Sequence, residues 1–163
     1  MVDQLKGPIF VQKTEPGKFK EGEPVVERNA ITAIVKHWKE DKYIGLKWKK
    51  VDWDTLITGG IEKGQTAETA AIAEIFEETG YTSPKLVKKL GKTHAKFYHV
   101  PKKENRLAHF DCLYFELQNG DRESIGADEQ EKHEVVWLSA EEMDKFRLPE
   151  SHRYTWDELK SKK

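Results

Sequence analysis

The stretch "GGIEKGQTAETAAIAEIFEETGY", residues 59–81, decides how this chain is read. Thr66 is a residue type that caps helix N-termini and Gly80 one that ends helices, so the spacing predicts a helix over residues 67–79. At about 100° per residue, Glu74, Glu77 and Glu78 fall on one side, while Ile72, Ile75 and Phe76 are expected to point the other way, into a core. Like charges at such spacings cost an isolated helix about 0.2–0.5 kcal/mol per pair. A hard divalent cation such as Mg2+ would offset that cost, because carboxylates one turn apart supply oxygen ligands for near-octahedral coordination. A glutamate-rich face that is merely solvated is the plain alternative. The glycines ahead of the helix weigh against it: Gly59 and Gly60 are expected to end a short strand in a sharp turn, which can aim a backbone carbonyl at the same ion.

Upstream, "AITAIVKHW" and "YIGLKWK" are β-branched and aromatic runs separated by the polar "KEDK", the signature of a hairpin, and "DTLIT" adds a short strand. Downstream, "PKLVKKLGKTHAKFYHV" and "RLAHFDCLYFELQ" read as two extended segments joined by "PKKEN". A polar loop, "NGDRESIGADEQEK", precedes a last strand, "HEVVWL". The helices "SAEEMDKF", with Ser139 as N-cap, and "ESHRYTWDELKSKK" close the chain. This order defines an α/β class with a central sheet between helical layers. "GGIEKG" fits neither the Gly-x-Gly-x-x-Gly fingerprint nor a Walker loop, so a doubly wound nucleotide fold is set aside. Residues 1–27 hold three of the six prolines and three glycines and read as an N-terminal arm or linker, leaving 28–163 as a single domain.

A length of 163 residues suits one domain with a real core. With 28 basic and 29 acidic residues the net charge is −1, which gives no global field to recruit nucleic acid or an acidic membrane. Cys112 is the single cysteine, so an internal disulfide and a cysteine-based metal cluster are excluded, and a reducing cytosol suits the chain. The apolar runs fall far short of the roughly 20 residues that span a bilayer. The opening residues carry neither a basic leader nor an apolar signal core, so a cytoplasmic location is expected, with no membrane partner.

Residues 59–81 resemble the Nudix box, in which Gly is followed after five residues by Glu and after seven more by Arg-Glu-aliphatic-any-Glu-Glu-any-Gly-aliphatic. Gly59, Glu74, Ile75, Glu77, Glu78 and Gly80 match in register, and "EKHEVVWLSAEEM" is similar to the usual Nudix ending. The resemblance covers roughly residues 28–147. It implies an αβα sandwich with a mixed central sheet and a Mg2+- or Mn2+-dependent hydrolase that cuts a nucleoside diphosphate linked to another group. Carried over by residue, Glu77 and Glu78 are metal ligands, Glu74 is a ligand or the general base, and the Gly59 carbonyl is a further ligand. A late acidic residue, Glu131 or Glu134, completes the site unless both lie on a solvated loop and strand edge. Three positions depart: Gln65 replaces the first Glu, Ala73 the Arg, and Tyr81 the last aliphatic residue. An ion pair removed from both ends is compatible with a stable fold, but a carboxylate misplaced by about 1 Å can lose about 10²-fold in rate.

The chain is also similar, from "VERNAITAIVKHW" through "PESHRYTW", to a Nudix-like segment inserted in some bacterial leucyl-tRNA synthetases. That likeness implies the alternative, a binding or accessory module with little turnover for which tRNA would be a partner. His94, His99 and His109 lie on neighbouring expected strands, as a proton-transfer or metal set or as half-buried strand histidines. Tyr98 falls about where diadenosine polyphosphate hydrolases of the family carry a stacking tyrosine. Trp38, Trp48, Trp53 and Trp137 are expected to pack rather than stack on a base.

Overall fold

The computed structural model describes residues 6–51 and 53–162; residues 1–5 of the expected arm, Asp52, and Lys163 of the last expected helix lie outside the described residues. In chain order the elements are β1 (Ile9–Val11), β2 (Val25–Lys36), β3 (Lys42–Trp48), β4 (Asp54–Thr55), β5 (Ile57–Gly60), α1 (Ala67–Thr79), β6 (Pro84–Lys89), β7 (Thr93–His99), β8 (Glu104–Leu117), α2 (Ala127–Lys132), β9 (His133–Ser139), α3 (Ala140–Lys145) and α4 (Glu150–Ser161). Among the described residues the strands form one mixed sheet in the order β1-β7-β8-β2-β3-β4, with β5 also on β2, β6 on β8 and β9 on β3.

The sheet is covered on both faces, and its central strands show why. In β2, Ile31, Ala33 and Val35 pack on the α1 side, while Ala30 and Ile34 join Met143, Trp156 and Leu159 on the side of α3 and α4. In β8, Leu113, Phe115 and Leu117 face α1, and Phe110, Cys112 and Tyr114 face the other way. A strand buried on both faces needs a near-continuous apolar run, which "AITAIV" supplies with Thr32 as its one polar member. β2 and β8 pair in parallel from Val25↔Asn105 to Lys36↔Glu116.

The expected hairpin is present, with Lys36 opposite Tyr43, but β3 makes its longer ladder with β9. The extended segment after α1 is two strands, both antiparallel to β8. It breaks at Gly91, whose N–H donates to both carboxylate oxygens of Glu158 on α4. Within residues 6–27, β1 runs parallel to β7, and Asn105 exchanges hydrogen bonds with the backbone of Lys20 at 3.0 and 2.6 Å.

Helix α1 has the expected ends. Thr66 and Thr69 form a capping box, and Gly80 takes the left-handed conformation at φ 84°, with its N–H donating to the Phe76 carbonyl. Ile75 faces the core as expected and Ile72 packs at its edge, but Phe76 and Glu78 depart from the expectation. Phe76 is 42 % exposed and Ile72 half-buried, while Glu78 is only 5 % exposed and lies among Ala70, Ala71, Ile75 and Thr79. Helical geometry gives the reason: Glu78 follows Ile75 by three residues and Ala71 by seven, so all three share one stripe. The small alanines let that stripe approach the sheet closely.

A second correction concerns Gly59 and Gly60. The strand includes both before it ends at Gly60: Gly59 pairs with Ile31 and Gly60 with Ala30 inside β5. The glycine at position 59 serves close approach instead, since a Cβ there would overlap the Glu74 carboxylate.

Candidate metal centre

The site begins with two carboxylates on the inward side of α1. Glu74 is half-buried against Gly59. Burial, then the charges of Glu77, Glu129 and Glu62, push its pKa up to about 7. Glu78 is held well above the usual carboxylate range by burial first and then by Glu74 and Glu129, against a backbone hydrogen bond from Thr58 that favours the charged form. Its Oε1 is buried and has no hydrogen-bond partner among the described residues. A carboxylate in that condition costs free energy unless a proton or a cation joins it. Glu77 is exposed at the rim of the same side.

The chain supplies the other wall from far along the sequence. The Arg122 Nε donates to the Thr79 carbonyl at 2.8 Å, and the Glu123 N–H donates to the Gly80 carbonyl at 2.8 Å, pinning the loop before α2 onto the end of α1. On the far side of α2, Lys49 donates its N–H to the Lys132 carbonyl and its Nζ to the Gln130 carbonyl. So held, α2 and the first residue of β9 bring Glu129 and His133 to Glu78. One ligand atom from each of the three lies within 4.8 Å of the others. His133 is buried, its Nε2 is 2.8 Å from the Glu78 carbonyl, and its Nδ1 is 3.7 Å from Glu129 Oε2. The Trp48 ring, centred 4.9 Å away, packs against this imidazole.

Of the residues singled out from the sequence, Glu74 and Glu78 thus sit inward, Gly59 touches Glu74, and Glu77 stays at the rim. The late acidic residue in the cluster is Glu129. Glu131 and Glu134 are exposed, the former two residues beyond Glu129 and so about 200° round α2. Glu129 and His133, four apart, fall on one face; that spacing was the available signal, hidden in a stretch that reads as polar loop. Gln65 accepts a hydrogen bond from the Glu62 N–H at 2.8 Å and closes the loop ahead of α1, a task that needs no charge.

The strand histidines go elsewhere. His94 and His109 meet through their Nδ1 atoms at 2.7 Å, and His109 Nε2 reaches Glu27 at 3.1 Å. His99 is held down at about 4 by burial and by Arg106. Tyr98 lies under the Lys20 ammonium, 3.8 Å from the ring centroid. Trp38 stacks on His37, and Trp137 donates to the Tyr81 hydroxyl, a packing role that also accounts for Tyr81 at the box's last position.

A pH dependence follows for the metal-free protein. Glu74 and Glu78 keep protons in the folded state that the unfolded chain releases near 4.5, so their stabilising contribution is present below that pH and lost as pH rises through about 7 and beyond. His99 and His152 act in the opposite sense, but only up to about their ordinary 6.5. In chelator, the thermal midpoint is therefore expected to fall between pH 6.5 and about 8.5, and added Mn2+ to restore more at the upper end. A midpoint that rises across this interval in chelator would contradict the burial of these carboxylates.

A family model for the NUDIX domain matches residues 26–159. No curated protein shows significant sequence similarity to the chain. Among solved structures, a Listeria monocytogenes protein described as a NUDIX hydrolase superposes with a TM-score of 0.65 at 19% identity, covering 82% of this chain and 92% of its own. The E. coli dihydroneopterin triphosphate pyrophosphohydrolase gives 0.64 at 18% identity over 85% and 99% of the two chains. A C. elegans Ap4A hydrolase gives 0.60 at 14% identity over 82% and 96%. These likenesses establish the fold, a mixed sheet flanked by helices. The chain belongs to the NUDIX family. No helix among the described residues is long and apolar enough to cross a membrane.

Proposed function

We propose that this protein is a divalent-metal-dependent pyrophosphohydrolase acting on a nucleoside diphosphate linked to another group. The observation that carries the reading is the buried, unpartnered Oε1 of Glu78 facing Glu129 and beside Glu74. Such an arrangement is costly without a cation, and its oxygen donors fit a hard one, Mg2+ or Mn2+. Glu78, Glu129, Glu77, Glu74 and the Gly59 carbonyl would hold it. A divalent cation held there would supply charge neutralisation of the diphosphate and acidify a water. Glu74, which lies against Gly59 and is partly shielded from solvent, would take a proton from water or serve as a ligand. Gln65 closes the loop ahead of α1, whose first turn is held by the Thr66 and Thr69 capping box. Two of the similar solved structures, the dihydroneopterin triphosphate pyrophosphohydrolase and the Ap4A hydrolase, are enzymes of compounds with linked phosphates, which supports a diphosphate-containing substrate here.

The test is release of phosphate or monophosphate from a panel of nucleoside diphosphate compounds with Mg2+ or Mn2+, comparing the protein with Glu77→Gln. Glu77 is exposed, so its amide variant should fold normally while losing about 10²-fold or more in turnover. Equal rates from the two proteins, or no turnover on any compound, would overturn the reading.

A further inference from the structure

The carboxylates account for an ordinary oxygen site, but they leave one buried group unexplained. The side chain of His133 has no solvent exposure, and its Nδ1 has no hydrogen-bond partner among the described residues. Its other nitrogen, Nε2, lies 2.8 Å from the Glu78 main-chain carbonyl. A carbonyl can only accept, so Nε2 carries the proton. In the neutral ring Nδ1 is then an open lone pair, directed at Glu78 and Glu129. The distance of 3.7 Å from Nδ1 to Glu129 Oε2 is too long for a hydrogen bond. It suits two ligands of one ion, since donors about 2.1–2.2 Å from a metal stand about 3–4.4 Å apart.

The arrangement has a further property of a ligating histidine: its distal N–H is fixed by a carbonyl, which sets tautomer and ring orientation before any ion arrives. Here the carbonyl belongs to Glu78, itself a proposed ligand, so one residue contributes an oxygen and aims a nitrogen. Trp48 packs on the imidazole and resists its rotation.

We propose that His133 Nδ1 is a nitrogen ligand of the divalent cation, so that this centre is a mixed nitrogen and oxygen site selecting a first-row transition dication such as Mn2+ over Mg2+. The proposal rests on the metal-dependent reading above and names the class of metal. Imidazole nitrogen adds little to the binding of Mg2+, which favours oxygen donors and held water, and more to transition metals.

Mn2+ is the probe, read by electron spin-echo envelope modulation for a directly bound 14N, with Mn2+ and Mg2+ affinities measured by calorimetry. The wild type is expected to show the nitrogen modulation and to bind Mn2+ more tightly than Mg2+. His133→Gln, which keeps a donor for the Glu78 carbonyl, should lose the modulation and weaken Mn2+ binding about 10- to 100-fold, with a smaller change for Mg2+. Mn2+ bound at a Glu78-dependent site without nitrogen modulation would overturn the assignment of His133 and leave the carboxylate centre standing. Mn2+ binding that is absent, or indifferent to Glu78→Gln, would overturn both. The wild-type spectrum decides the matter even where a variant fails to fold.

Discussion

Glu78→Gln is expected to make the metal-free protein more stable at pH 8 while removing its metal response and at least about 10²-fold of its turnover. The carboxylate is enclosed, with the Thr58 N–H as a donor and the acceptors Glu129 and His133 close by. An amide of the same shape keeps an oxygen for Thr58 and turns an NH2 group toward those acceptors. It thus removes a buried carboxylate and offers a donor to His133 Nδ1, which Glu78 leaves unpaired. A gain of about 1–2 kcal/mol, some 2–8 °C in thermal midpoint for a domain of this size, is the expected scale. The fall in midpoint between pH 6.5 and 8.5 should flatten in the same variant, because a main source of the native state's extra protons is gone. Midpoints in chelator across that interval, with and without Mn2+, check all of this. A variant less stable than wild type at pH 8 in chelator would mean that Glu78 is accommodated without a cation, and the metal centre would lose its principal support.

The contrast between α1 and α2 shows what a sequence can disclose. The ends of α1 are written locally in Thr66, Thr69 and Gly80, whose capping depends on neighbours within a turn, so its bounds could be read directly. Its inward side could not, because the alternation of Ala70, Ala71 and Ile75 with Glu74 and Glu78 becomes a packing pattern only when Gly59 lies opposite. The short α2 has no buried residue and no side-chain cap. It holds its place through Lys49, just beyond the end of β3, and through Gln130, whose amide donates to the Ile125 carbonyl. Contacts between residues some 80 apart leave no local trace, which is why the sequence alone points to Glu131 or Glu134 and not to Glu129 and His133. The strand pairings have the same character: β2 meets β8 across a long separation, while the adjacent hairpin supplies a single registered pair.

Gly59→Ala should show how finely the carboxylates are placed. Position 59 lies in regular strand opposite Ile31, so alanine meets no backbone objection. Its methyl, however, would occupy the space of the Glu74 carboxylate and press on its Cγ at 2.6 Å. Glu74 would have to leave the place it holds beside the strand. Overpacking of this kind costs about 1–3 kcal/mol, and a shift of about 1 Å in a group that positions water or metal costs about 10²-fold in kcat. The neighbouring Gly60 provides the control, because successive residues of a strand face opposite ways. A Cβ there meets only the tip of Arg28, with Nη2 at 3.0 Å, and a guanidinium on a long side chain can move aside. Gly60→Ala should therefore stay within about 0.5 kcal/mol and twofold of wild type. Comparing kcat and thermal midpoint for the two alanine variants separates the explanations: equal losses would mean that β5 needs glycine for its backbone, whereas a loss confined to position 59 identifies the room reserved for Glu74 as the reason that glycine is there.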